Sequence, residues 1–152
     1  MREIIIIICF FLVTSCHNNV FQAYQSLDKN EWHTDSVLTF NYSILDTTKK
    51  YNLSLKVRHS VDYEYENLFL FLGGTHQDTI EITLSNKEGK WMGSGISNIR
   101  EFKYIFDEKK QFINKGNYKL DVEQAMRYGA EEKIKVLHHI LGLGLIISEN
   151  NE

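Results

Sequence analysis

The sequence lacks proline altogether and contains very little cysteine. Of its 152 residues none is proline, and the 2 cysteines, Cys9 and Cys16, both lie in the first sixteen positions. The chain that follows them therefore has no thiol for a disulfide bond, a thiolate metal site or a cysteine nucleophile. The absence of proline carries less information, since it removes only one of the residues that protect exposed edge strands.

The chain also lacks a surplus of positive charge. Its 17 Lys and Arg residues stand against 20 Asp and Glu residues, which gives a formal net charge of −3. A mildly acidic chain without a basic cluster has no electrostatic footprint for nucleic acid. We therefore predict no nucleic-acid partner.

Patterns typical of catalysis or cofactor binding are missing as well. No G-x-S-x-G segment is present, and Gly93-Ser94-Gly95 lacks the third glycine of a nucleotide-binding loop, so a β-bulge or tight backbone is the better interpretation. Two acidic residues could converge as a glycosidase-like pair, but nothing in the sequence singles out a pair. We predict that the protein is not an enzyme and binds no cofactor.

Two groups of potential metal ligands have a more ordinary interpretation. Asp62, Glu64 and Glu66 would lie on one face of a strand, where three carboxylates could hold Ca²⁺,. The glycine-containing loop that is typical of calcium sites is missing around them, so a solvated acidic face is favoured. His138 and His139 are adjacent, and their side chains point apart on a helix or a strand. We therefore predict no metal site.

The N-terminus has the pattern of an export signal that ends in a lipidation site. An apolar run over residues 4–13 follows Met1-Arg2, and it is about half the length of the roughly 20 residues that a spanning helix needs,. Residues 12–16 (LVTSC) resemble a bacterial lipobox. We predict a signal peptide over residues 1–15 and a lipid on Cys16. An uncleaved core strand that ends in an incidental cysteine is the weaker alternative.

The rest of the chain has the size and the pattern of one all-β domain. We predict a lipidated cysteine and tether over residues 16–19 and a single domain over residues 20–152. Apolar and polar residues alternate in short runs bounded by turn residues, which favours a single antiparallel β-sandwich, Ig-like or jelly-roll-like, with at most one short C-terminal helix. The expected core comprises Leu38, Phe40, Tyr42, Leu53, Leu55, Leu70, Ile80, Ile82, Tyr118, Leu120 and Val122.

Three segments lead to more specific expectations. Residues 37–45 and 51–58 are consecutive strands joined by a short turn, so they should pair with each other. Residues 68–72 show no alternation, which predicts a strand covered on both faces. Residues 131–141 carry apolar side chains at helical spacing, so we expect a loop or one to two helical turns before a final strand over residues 143–147,.

Several stretches, taken in order, resemble one known family. They are residues 21–27, 32–33, 51–53 with Arg58, 65–71, 78–81, 89–95, 116–118, 124–127 and 142–145. Together with the lipobox, this order is similar to that of the gliding-motility lipoprotein GldH family of the Bacteroidetes. The chain departs from the family pattern at Glu64, where the family has proline, and over residues 129–139.

The resemblance implies a non-catalytic, lipid-anchored envelope protein that supports gliding motility and the associated secretion machinery through protein–protein contacts. Its implied partners are membrane lipid, through Cys16, and other gliding or secretion envelope proteins. Trp32, Arg58 and Trp91 are candidates for partner contact, although packing is the favoured interpretation for both tryptophans. A glycan-binding envelope lipoprotein is the alternative function, because exposed aromatic rings of sandwiches bind sugars, and an enzyme comes third.

The residues after Cys16 lead to an expectation about location. Surface-exposed lipoproteins of the Bacteroidetes commonly carry a short acidic tract directly after the lipidated cysteine, but residues 17–21 contain no carboxylate. We therefore expect the domain on the periplasmic face of the outer membrane.

Overall fold

The structure, a computed structural model, describes residues 19–130 and 132–151. The predicted signal peptide and the predicted lipidation site Cys16 lie outside the described residues. Within them, a short 3-10 helix at Asp28–Asn30 is the only helical element. None of the described residues belongs to a helix with the length and apolar character that crossing a bilayer requires.

Twelve strands make up most of the described chain. In chain order they are β1 (Asn19–Ser26), β2 (Glu31–His33), β3 (Leu38–Ile44), β4 (Lys50–Ser60), β5 (Asn67–Gly74), β6 (Asp78–Thr83), β7 (Ile99–Gln111), β8 (Gly116–Gln124), β9 (Arg127–Tyr128), β10 (Glu132–Lys133), β11 (Val136–His138) and β12 (Ile140–Asn150).

Eight of these strands form two four-stranded sheets. Sheet I has the order β1-β12-β4-β7 and sheet II the order β3-β8-β5-β6, and all neighbours are antiparallel. Two short ribbons, β2 with β11 and β9 with β10, complete the described fold. Buried side chains from both sheets form one core cluster. The predicted all-β antiparallel sandwich is confirmed.

Period-two patterning explains how the core is filled. In β3 the buried positions are Leu38, Phe40, Tyr42 and Ile44, and the residues between them point away from the core,. The predicted core residues are all buried except Tyr118. Tyr118 is partly buried at the rim, where its ring stacks on that of Tyr42 with centroids 5.7 Å apart.

Strand β5 has one covered face, not two. Leu68, Leu70 and Leu72 are buried, whereas Phe69 is partly exposed and Phe71 is exposed. The prediction of a strand covered on both faces is wrong. A continuous apolar run reports the hydrophobicity of both faces, but it does not report whether another element covers the outer one.

Strands β3 and β4 lie in different sheets, so the expectation that they pair is wrong. β3 pairs with β8, whereas β4 lies between β12 and β7. The turn over residues 45–49 carries the chain from sheet II to sheet I. Alternation identifies the face that a strand buries, but it does not identify the neighbouring strand.

Residues 132–141 form strands and short connecting segments, so the helical alternative predicted for this region is wrong for these residues. Leu137 is fully buried in β11, which pairs with β2 opposite Trp32, and Ile134 packs against the core from the preceding loop. The helix-like spacing of the apolar residues therefore arises because Ile134 and Leu137 contact the core from two different elements, a loop and β11. The predicted final strand is confirmed, and it begins earlier, at Ile140.

Candidate interaction surface around Arg58

Alternate side chains of sheet I point away from the core and form an open outer face. Register places a small group of polar residues and glycines side by side at its centre. From β1 across to β7, these residues are Tyr24, then Gly142 and Gly144, then Lys56 and Arg58, and then Glu101.

The glycines of β12 leave room for the ring of Tyr24. A Cβ at Gly142 would overlap the Tyr24 hydroxyl and the carbonyl oxygen of Gln25. A Cβ at Gly144 would lie 3.5 Å from the Tyr24 ring and 3.3 Å from the carbonyl oxygen of Ala23. The Tyr24 ring therefore occupies space that the side chain of any residue other than glycine would take at these positions of β12.

Two cations lie next to Tyr24 on β4. Lys56 forms an ion pair with Glu101, and the positive charge of Arg58 acts on the phenol of Tyr24. Burial raises the pKa of the Tyr24 phenol, while the positive charge of Arg58 opposes this shift,. A guanidinium has five N–H donors, so Arg58 can donate to a ligand that enters from the open face of the sheet.

Arg58 opens onto a groove of about 600 Å³. The lining consists of Arg58, Ser94, Gly95, Ile96, Ile99 and Glu101. A smaller cavity of about 190 Å³ shares Arg58 and Glu101 and continues past Tyr24 to β12. We call these two connected depressions the arginine groove. It combines a guanidinium and a phenol with the isoleucine side chain of Ile96, which is 87% exposed.

Tight backbone packing fixes the loop that borders the arginine groove. Ser94 exchanges two backbone hydrogen bonds with Glu101 of β7, 2.8 and 3.0 Å long. Gly93 has φ 81°, and a Cβ there would overlap the carbonyl oxygen of Glu101,. The loop leads into a strand and not into a helix, which agrees with the prediction of tight backbone in preference to a phosphate loop.

The two tryptophans occupy packing positions. Trp32 is fully buried, and its indole Nε1 donates to the carbonyl oxygen of Ser36 at 3.0 Å. Trp91 is partly buried, with its ring centroid 4.7 Å from that of His59. Trp32 therefore offers no surface to a partner. Of the three sequence-predicted contact residues, Arg58 is the one that lines an open groove.

His59 is a buried histidine on the inner side of β4, next to Arg58. Its Nδ1 lies 2.8 Å from the carbonyl oxygen of Ser60, and its Nε2 has no hydrogen-bond partner among the described residues. Burial lowers the pKa of His59,. The ring is therefore neutral at neutral pH and packs against Trp91 and Tyr63.

The acidic residues before β5 do not form a cation site. Asp62, Glu64 and Glu66 lie in the loop between β4 and β5, so the expectation that they share a strand face is wrong. The ring centroids of His138 and His139 are 6.4 Å apart. Within the described ranges, no three His, Cys, Asp or Glu side chains are grouped closely enough to hold a metal ion.

A second groove lies on the outer face of sheet II and has a volume of about 350 Å³. Its lining consists of Phe69, Phe71, Thr79, Ala125, Arg127 and Gly129. Sequence reasoning missed this groove, because it assigned both faces of β5 to the core. The signal that could have found it is the presence of aromatic residues at the alternate positions of β5.

Comparison with known proteins identifies the family. The chain matches the family described as GldH lipoprotein over residues 19–147. The chain belongs to the GldH lipoprotein family. It is 36% identical over 155 residues to the gliding motility lipoprotein GldH of Flavobacterium johnsoniae, with 97% of this chain and 96% of that protein covered. It is 33% identical to the gliding motility lipoprotein GldH homolog of Christiangramia forsetii, with coverage of 97% and 94%. No solved structure matches the chain.

The GldH family match starts with β1 and ends within β12, so it includes both sheets. It confirms the resemblance that the order of the sequence stretches indicated. Four of those stretches supply the arginine groove, although they are distant in the chain. They are residues 21–27, which contain Tyr24, Arg58 itself, residues 89–95 and residues 142–145.

Apart from Arg58, the residues that line the arginine groove were not among the sequence-predicted site residues. Lys56 and Glu101 look like ordinary outward-facing residues of alternating strands, and Tyr24 looks like one more aromatic strand residue. The available signal was the pair Gly142 and Gly144 inside an apolar strand, since glycine in a strand marks a close approach of another group.

We predict that the two glycines of β12 differ in their tolerance of a methyl group. Gly142→Ala should lower the free energy of unfolding by about 2–3 kcal/mol, because the new Cβ overlaps backbone and the Tyr24 ring,. Gly144→Ala is the matched control and should cost less than about 1 kcal/mol, since its nearest contacts need only small shifts,. Urea denaturation followed by fluorescence measures both, and equal losses would contradict the described packing.

Proposed function

We propose that this protein is a lipid-anchored envelope component that supports gliding motility and its associated secretion machinery through protein–protein contacts. The names of the two curated relatives support the link to gliding motility. The arginine groove is the observation that carries the contact mechanism. It is the place where Arg58, the predicted contact residue, meets an open surface.

The composition of the arginine groove suits a protein partner. Arginine and tyrosine are enriched in protein interfaces, where they combine apolar contact area with directional hydrogen bonds. Ile96 and Ile99 provide apolar contact beside the guanidinium of Arg58. A partner segment with an acidic side chain next to an apolar one would match this lining.

The glycan-binding alternative receives no comparable support. Sugar binding by a sandwich uses exposed rings arranged as a platform, but the exposed tyrosines Tyr24 and Tyr128 lie on different sheets. Trp32 is buried and Trp91 packs against His59. Protein contact is therefore the function that the surface supports better.

The proposed anchor is a lipid on Cys16, and the proposed location is the periplasmic face of the outer membrane. An apolar run that ends in Thr14-Ser15-Cys16 supports the anchor, and the absence of carboxylates from residues 17–21 supports the location. Several acyl chains hold a protein firmly on a bilayer, because each buried CH₂ contributes about 0.8 kcal/mol.

Replacing Cys16 tests the anchor. In cells fed a clickable fatty acid, the wild-type protein should carry the label, and Cys16→Ala should lose it, because the thiol that accepts the lipid is gone. Cys9→Ala is the matched control and should keep the label, since Cys9 lies within the predicted signal peptide.

A Cys16→Ala protein that retains the label would contradict the anchor. In the same cells, protease added outside decides the location. The labelled protein should resist digestion until the outer membrane is opened, and digestion in intact cells would mean that the domain faces outward.

Reversing the charge of Arg58 tests the proposed contact mechanism. Arg58→Glu should reduce both the envelope proteins that co-purify with the tagged protein and the spreading of colonies of its source cells. The reason is that a carboxylate cannot donate the hydrogen bonds of a guanidinium. Lys133→Glu makes the same change of charge at an exposed position of β10 and should leave both unchanged.

Immunoblots of the envelope fraction check that both variants accumulate normally. If Arg58→Glu is present at the wild-type level and retains the same co-purifying proteins, the arginine groove is not the contact surface.

A further inference from the structure

The start of the described chain and two exposed turns lie at the same end of the sandwich. β1 begins there, because Asn19 pairs with Ser148 near the end of β12. The turn over residues 45–49 lies there, since Lys50 pairs with both Asn150 and Gln111. The turn over residues 112–115 follows Gln111 directly. We call this end of the molecule the anchor end.

Large aliphatic side chains stand at the tips of both turns. Leu45 is 78% exposed and Ile113 is 91% exposed. Their chain neighbours Ile44 and Phe112 are buried in the core, so the turns are held firmly against the sandwich. Two apolar tips on one end of a water-soluble fold are unusual, because turns normally carry polar residues at such positions.

Lysines surround these apolar tips. Lys49, Lys50 and Lys115 are exposed in or next to the two turns; Lys49 pairs with Glu149 at 2.6 Å, and the carboxylate of Asp46 lies in the field of Lys49 and Lys115. Lysine side chains lay their methylene stems along apolar surfaces while the ammonium groups reach anionic headgroups. The anchor end therefore combines groups that suit the interface of a bilayer.

The length of chain between Cys16 and β1 places this end near the membrane. Asn19 is three residues from Cys16, and three residues span at most about 10–11 Å. A lipid on Cys16 would thus hold Asn19, and with it the anchor end, within about 1 nm of the headgroups. Val20 lines the same small cavity as Leu45, so the apolar tip lies next to the start of the chain.

We propose that the anchor end docks on the bilayer surface, with Leu45 and Ile113 inserted among the headgroups and Lys50 and Lys115 beside anionic lipid. This inference rests on the proposed lipid at Cys16. Docking fixes the domain upright on the membrane. Arg58 lies eight residues along β4 from Lys50, so the arginine groove stands about 25 Å from the bilayer surface, open to a partner.

Environment-sensitive labels on the lipidated protein test the docking. The mature protein has no cysteine apart from the predicted acylated Cys16, so Ile113→Cys and Leu45→Cys each provide one thiol for the fluorophore NBD. Ile96→Cys is the matched control, because Ile96 is as exposed as these two and lies at the other end of β7. The labelled proteins are reconstituted in vesicles of phosphatidylethanolamine and phosphatidylglycerol that contain brominated acyl chains.

Labels at positions 113 and 45 should shift their emission to shorter wavelength and lose most of it to the brominated lipid, while the label at position 96 should do neither. Flotation of the vesicles reports the anchor separately. Protein that floats but gives the same emission at all three positions overturns the docking alone. Protein that does not float overturns both the anchor and the docking.

Discussion

The fold depends on the insertion of the last strand, β12, between the first strand, β1, and the long strand β4. β12 is hydrogen-bonded along both edges, and residues 142–147 are all buried. Leu143 and Leu145 fill the core from this strand. Because its two neighbours come from distant parts of the chain, sheet I has to close through long-range pairing, which is slow to form and cooperative once formed.

The position of β12 also determines where β1 begins and what lies on the outer face of sheet I. β1 runs antiparallel to β12, so the described part of the chain starts at the end of the sandwich where β12 finishes. On the outer face, the Tyr24 ring packs over the glycines of β12, next to Arg58. One strand therefore determines both the end of the sandwich at which the described chain starts and the position of the arginine groove.

Much of the fold follows from the sequence alone, but its connectivity does not. The alternation over residues 37–45 predicted correctly which side chains of β3 enter the core, because a strand with one buried face shows a period of two. It could not show that β3 pairs with β8, since pairing is decided by contacts between strands remote in sequence. The apolar run at residues 68–72 was misread for a related reason, because the exposure of Phe69 and Phe71 depends on whether another element covers them. Of the arginine groove, the sequence indicated Arg58 through the family resemblance. The residues around it come together only through the register of four strands.

Native-state amide hydrogen exchange tests the central position of β12 most directly. The interior amides of β12 and β4, such as those of Leu145 and Leu55, should exchange only when the whole domain unfolds and should be the most protected in the protein. The amides of residues 95–98, which lie between Ser94 and the start of β7, should exchange rapidly by comparison. If β12 exchanges as fast as that loop while β3 and β8 remain protected, β12 is not a central strand of sheet I and the fold does not depend on its insertion.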